Sequence, residues 1–111
     1  MENCIFCKMI AGEVPVKFLY QDEHIVVFND IRPKAKVHLL VVPKIHIDSL
    51  AHLSIENGPL MAHIMTQLKS IAANNGLKNG FRTIINTGAD GGQEVNHIHL
   101  HLLGGGMLPT S

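Results

Sequence analysis

The chain has 111 residues, 46% apolar and 16% charged, enough for one compact core, so residues 1–111 read as a single domain. Nine basic residues balance nine acidic ones, which excludes the electrostatic footprint of a general DNA-, RNA- or anionic-lipid-binding protein, and any nucleotide recognised is small. The first residues are no basic-then-apolar leader, and no stretch of about 20 apolar residues occurs, so the expectation is a soluble cytoplasmic protein with no membrane partner.

Cys4 and Cys7 are the only cysteines, and in a cytosolic chain a Cys-x-x-Cys more often binds metal or does redox work than forms a structural disulfide. Ile5, Phe6, Met9 and Ile10 recur at helical spacing ahead of Gly12, which predicts a short helix. Residues 16–21 and 25–29 are rich in β-branched and aromatic side chains around Asp22-Glu23-His24, the pattern of an antiparallel hairpin. Pro33 makes residues 30–35 a connecting loop. Residues 37–42 then form a third strand, stopped at Pro43 and interrupted by His38, which alone carries little functional weight.

A long helix is predicted over residues 59–75, with Pro59 early and Gly76 just past its end. Its stripe of Leu60, Met61, Ile64, Met65, Leu68, Ile71 and Ala72 suits a core or a dimer surface. Residues 81–87 form a fourth strand, followed by the turn Gly88-Ala89-Asp90-Gly91-Gly92-Gln93, whose consecutive N–H groups suit an anion-binding nest. Strands in antiparallel neighbours plus two helices make the class α+β.

The most informative stretch is residues 97–103, where His97, His99 and His101 alternate with Ile98, Leu100 and Leu102. On a strand the three imidazoles share one face and the aliphatic side chains the other. Adjacent histidines then stand roughly 6.5–7 Å apart and the outer pair roughly 13 Å, so one ion cannot be held by all three. Three imidazoles in register point to nucleophilic, acid–base or metal chemistry.

The run His97-x-His99-x-His101-x-x resembles the signature of the histidine triad (HIT) nucleotide-binding proteins. The resemblance extends through Asp30-Ile31-Arg32-Pro33-Lys34-Ala35-Lys36-Val37-His38-Leu39-Leu40-Val41-Val42-Pro43-Lys44-Ile45-His46, and through Ile5-Phe6, Glu13-Val14-Pro15, Asn86, Gly91-Gly92-Gln93-Glu94-Val95 and Gly104-Gly105. It covers essentially the whole chain and is strongest for the small phosphoramidase-type branch. It implies a HIT-like fold, a five-stranded antiparallel sheet with one long and one short helix, usually in a homodimer.

The resemblance also implies roles. His99 would be the nucleophile at the α-phosphate of a purine nucleotide, forming a nucleotidyl-histidine intermediate that water hydrolyses. His101 and His38 would flank the phosphate. Asn86 and the backbone of Gly92, Gln93, Glu94 and Val95 would hold its oxygens, and Asp30 would take the ribose hydroxyls. Phe6, Val14, Phe28, Ile31 and Leu40 would form an apolar slot for the base. Glu94 stands where other members carry a serine that assists the leaving group, and is itself a candidate for that proton transfer. Asn96 replaces an aromatic residue, and the tail after Gly105 lacks the usual arginine.

A structural zinc is expected at Cys4, Cys7, His46 and His97. With no further cysteine the second ligand pair must be histidine. His97 lies farthest along the row from the phosphate end, and prokaryotic relatives share this set. The leading function is hydrolysis of adenylated substrates of the adenosine 5′-phosphoramidate type. A dinucleoside polyphosphate hydrolase, a non-catalytic purine-nucleotide binding module and a zinc-centred enzyme are the competing readings.

Overall fold

The computed structural model describes residues 3–109. Its elements in chain order are α1 (Ile5–Ile10), β1 (Tyr20–Gln21), β2 (Ile25–Asn29), β3 (Val37–Pro43), α2 (Gly58–Asn74), β4 (Arg82–Ile84) and β5 (Leu100–Gly104). Two 3₁₀ turns, Leu50–His52 and Ile55–Asn57, lead into α2. The strands form one antiparallel sheet in the order β1-β2-β3-β5-β4. The α+β expectation of a five-stranded antiparallel sheet with one long and one short helix holds. Among the described residues no helix is long and apolar enough to cross a membrane.

Both faces of β2 and β3 are covered, which explains their nearly unbroken apolar runs. Ile25, Val27, Leu39, Val41, Leu100 and Leu102 share one cluster with Ile64, Leu68, Ile71 and Ala72 of α2. Val26, Phe28, Leu40 and Val42 point the other way and pack with Cys4 and Phe6 at α1. Burial of a side chain such as Leu100 or Leu102 stabilises the fold by about 1.5–3 kcal/mol. His101 pairs across the ladder with Leu40 and so faces the α1 side. His38, two residues before Leu40, shares that face.

Several elements are shorter than their sequence patterns. The histidine row is not one regular strand, because the ladder ends at Val41↔Leu100. Two pairs further in that register Ile98 would stand against Pro43, which has no N–H to give. Ile98 N donates instead to Ile47 O at 2.7 Å. Residues 16–17 run past the end of β2, so β1 keeps only Tyr20–Gln21. The fourth strand is likewise reduced to Arg82–Ile84.

The hairpin turn is fixed by Asp22, whose Oδ1 accepts from His24 N and Ile25 N at 2.7 and 2.9 Å. Its Oδ2 takes Tyr20 O–H and His63 Nε2–H, each at 2.7 Å, and so ties α2 to the hairpin. Within the predicted stripe of α2, Met65 is 52% exposed and does not belong to the core.

Candidate functional site

Hydrogen bonds to one-way partners fix which nitrogen of each ring carries the proton. A carbonyl or carboxylate only accepts and a backbone amide only donates. His99 Nδ1–H donates to the carbonyl of His97 at 2.7 Å, leaving Nε2 with a bare lone pair. His38 Nδ1 accepts from Lys34 N–H at 3.0 Å, so its Nε2 bears the proton. That proton faces His101 Nδ1 at 2.9 Å and Asp30 Oδ2 at 3.3 Å. His101 therefore accepts at Nδ1 and presents Nε2–H outward. Its ring lies 5.2 Å from that of His99 and 5.1 Å from that of His38.

These tautomers require neutral rings, and the surroundings supply the reason. Burial pushes His101 down to about 4, with His99 and His38 adding to the shift. Burial also lowers His38, against the opposing pull of Asp30. The face thus offers a nucleophilic lone pair on a buried His99 beside a donor N–H on the half-buried His101. That pairing suits an attack on phosphorus with stabilisation of the charge that develops on oxygen.

At the other end of the row, His97 turns its ring around. Its Nε2–H donates to Pro43 O at 2.8 Å, so Nδ1 is the bare nitrogen. That nitrogen lies 3.2 Å from Cys4 Sγ and 3.5 Å from Cys7 Sγ. His46 repeats the arrangement, with Nε2–H on Asp48 Oδ1 at 2.7 Å and Nδ1 3.3 Å from Cys7 Sγ. Burial lowers His97, and burial together with Cys4 raises the Cys7 thiol. Four ligand atoms lie within 4.8 Å of one another. Zinc bonds of about 2.3 Å to sulfur and about 2.0–2.1 Å to nitrogen span a tetrahedral edge of about 3.6 Å, close to the sulfur–nitrogen separations here. The donor set fits a zinc ion, and Asp48 and the Pro43 carbonyl orient the two imidazoles from behind.

Asp30, His38 and His101 form a second trio with ligand atoms equally close. The amide of Lys34 occupies His38 Nδ1 and places the proton on the nitrogen that would have to bind the ion. The proton positions favour the Cys/His cluster for metal and leave the trio to acid–base work.

Several residues expected at the nucleotide are engaged within the chain. The glycine turn is not an open nest, because Gly91 N and Gly92 N donate to Gly88 O and Ala89 O, and Gln93 N to Gly88 O. Gln93 acts as scaffold, its Oε1 accepting from Gly88 N and its Nε2 donating to Asp48 O and Val95 O. Asn86 Nδ2 donates to Gly91 O at 2.8 Å and so pins the turn. Gly91 is required there, since a Cβ would overlap the Thr87 carbonyl, and Gly92 adopts a φ of 80°. Asp30 Oδ1 accepts from Arg32 N at 2.8 Å, while Oδ2 faces His38.

Of the expected base slot, Phe6, Phe28 and Leu40 are buried, Val14 is half-buried and Ile31 stands 90% exposed. The first three pack in the core cluster beneath α1. Glu94 is exposed and lines a cavity of about 640 Å³ with Cys4, His46, Asp48, Val95 and Asn96, beside the Cys/His cluster. Sequence reasoning missed Asp48, although a carboxylate two residues after a ligand histidine was a usable signal. The roles of the Lys34 amide and the Pro43 carbonyl carry no side-chain signal at all.

The family model described as scavenger mRNA decapping enzyme C-term binding matches residues 3–108. Protein HitA of Neisseria gonorrhoeae is 51% identical over 104 residues, covering 94% of this chain and 97% of that protein. A solved HIT family hydrolase from Legionella pneumophila superposes with a TM-score of 0.92 at 44% identity, covering 96% of each chain. A zinc-bound histidine triad family protein from Mycobacterium smegmatis matches with a TM-score of 0.78 at 35% identity, covering 92% of this chain and 74% of that one.

Proposed function

Because the chain belongs to the histidine triad (HIT) family, whose solved members include proteins described as hydrolases, we propose that it hydrolyses purine-nucleotide derivatives at the α-phosphate, with nucleoside 5′-phosphoramidates as the substrate class. The observation that carries this reading is the locked tautomer of His99. Its Nδ1–H is held by the His97 carbonyl at 2.7 Å and its Nε2 is left unprotonated. A nucleophile prepared by the backbone needs no separate base in the attacking step.

In the first step His99 Nε2 forms a bond to the α-phosphorus as the phosphorus–nitrogen bond to the amine breaks. The amine leaves with a proton from the Glu94 carboxyl. His101 Nε2–H donates to a phosphate oxygen, and His38 Nε2–H supports it from behind. The phosphoryl-imidazolium keeps its Nδ1–H on the His97 carbonyl. In the second step water attacks phosphorus, its proton passes to the Glu94 carboxylate, and the bond to His99 breaks to release the nucleoside monophosphate.

Asp30 takes the ribose hydroxyls at the cost of loosening its contact with His38, and the amides of Glu94 and Val95 take the phosphate oxygens. Cys4, Cys7, His46 and His97 hold a structural zinc that ties α1 to the sheet. The protein works in the cytoplasm as a homodimer, and exposed Met65 on α2 is consistent with a covered face there.

The test is to quench the reaction with a labelled adenosine phosphoramidate and locate the adenylyl group. Modification of His99, and its loss together with turnover in His99→Ala, is the expected result. Turnover by purified His99→Ala at near the parent rate would refute the mechanism. AMP binding without release of amine by the parent protein would favour the binding-module reading.

A further inference from the structure

We propose that His97 and Phe6 are positioning residues through which the Cys/His cluster sets the orientation of His99, an inference that rests on the nucleophilic role given to His99 above. His97 belongs to both sites at once. Its ring nitrogen Nδ1 faces Cys4 and Cys7 at 3.2 and 3.5 Å, and its backbone carbonyl receives the His99 Nδ1–H at 2.7 Å. In a regular strand the ladder would fix that carbonyl. Here residues 97–99 precede β5, and the bond from Ile98 N to Ile47 O is the nearby main-chain restraint. The direction of the carbonyl therefore follows how firmly the His97 ring is anchored at its two ends, Pro43 O and the cluster.

Phe6 makes the second connection. It lies between the two cysteines in the first turn of α1, and Cys4 Sγ caps that turn by accepting from Cys7 N at 3.3 Å. A helix of six residues has little stability of its own, so its placement depends on such anchors. The Phe6 ring is 4% exposed and meets three others edge to face, His99 at 5.1 Å and 82°, His97 at 5.8 Å and 75°, and Phe28 at 5.6 Å and 68°. It closes the space into which the His99 ring would rotate. Four ligands gathered on one ion hold α1, Phe6 and His97 together, and these in turn present His99 Nε2 to the phosphate.

The experiment compares zinc-loaded protein with protein stripped by chelator and kept reduced. Two readouts are taken: kcat and KM on an adenosine 5′-phosphoramidate, and the His99 tautomer from ¹⁵N imidazole shifts without substrate. Stripping is expected to lower kcat about tenfold, as modest misplacement of a reacting group does, with KM changed less than twofold. The His99 ring should pass from a single Nδ1–H form to a mixture, and added zinc should restore both readouts. Phe6→Leu, loaded and shown by elemental analysis to retain zinc, should lower kcat and give the same mixture of His99 tautomers without substrate.

A folded stripped protein with unchanged kcat and a single tautomer would overturn the proposal. Should stripping unfold the chain, loaded Phe6→Leu decides by the same criteria. If no form of the protein turns over an adenylated substrate, the hydrolase reading fails, while the tautomer readout still decides the coupling.

Discussion

His101 provides a direct measure of how strongly the catalytic face resists charge. Its ring is held at about 4 in the fold, chiefly by burial, against about 6.5 in an unfolded chain. Below the unfolded value the unfolded state binds the proton first, so stability falls as pH drops from about 6.5 toward 4 and levels off below that. At pH 5 the two values correspond to about 2 kcal/mol lost, and at pH 7.5 to less than about 0.1 kcal/mol. Since 18% of the side chain remains exposed, water screens the effect, and about 1 kcal/mol is the working figure.

The perturbation is His101→Gln, which removes the titration and keeps a polar side chain. The assay is urea unfolding of parent and variant at pH 7.5 and pH 5, with both proteins in the same metal state so that the cysteine and His97 contributions cancel. The parent should lose about 1 kcal/mol more than the variant between the two pH values. An equal loss in both proteins would refute the claim that His101 is kept neutral by the fold.

Replacing Asp30 with alanine should weaken AMP binding, measured by calorimetry, much more than 2′,3′-dideoxy-AMP binding; equal losses would mean that Asp30 acts only on His38 and its own loop. Glu94→Gln should slow the first-turnover release of the leaving group at least tenfold for an alkylamine and little for p-nitrophenolate, which leaves without a proton, and a first-turnover loss independent of leaving group would exclude Glu94 as the acid. Elemental analysis of protein purified without chelator should find about one zinc per chain. Cys4→Ser with Cys7→Ser should abolish that zinc and lower stability by about 4 kcal/mol when free zinc exceeds its dissociation constant a thousandfold; an unchanged unfolding midpoint would remove the structural role.

The parts of the fold legible in the sequence are those that side-chain patterns determine. Alternation of His99, Leu100, His101 and Leu102 placed chemistry and core on opposite faces, and Ile64, Leu68, Ile71 and Ala72 marked the buried side of α2. The strand ends were not legible, because they depend on register. Nothing near His97 in sequence says that Pro43 lies where its partner strand would continue. The site was legible to the same extent. Residue types and spacing picked out the histidines and cysteines, while Asn86 and the backbone of residues 92–95 entered only through the family resemblance. The bonds that the Asn86 and Gln93 side chains make to the glycine turn were not legible, since they answer the needs of its polar backbone.

The division of labour among the histidines follows from the partner that fixes each ring's proton, which for three of them is a backbone group. Four rings with the same intrinsic chemistry become different reagents because each meets one group of fixed polarity, and the fifth, His101, takes its proton position from His38. Carbonyls of His97 and Pro43 put the proton on Nδ1 of His99 but on Nε2 of His97. The Asp48 carboxylate repeats the second pattern at His46, and the Lys34 amide forces the proton of His38 toward His101. Reversing the partner of His99 would turn a nucleophile into a donor, and reversing that of His97 or His46 would close a metal ligand. Two consequences follow that side-chain identity alone does not give. Among the described residues the lone pairs able to bind a soft metal converge where the two thiols lie, and the bare nitrogen on the phosphate face belongs to the middle histidine of the row.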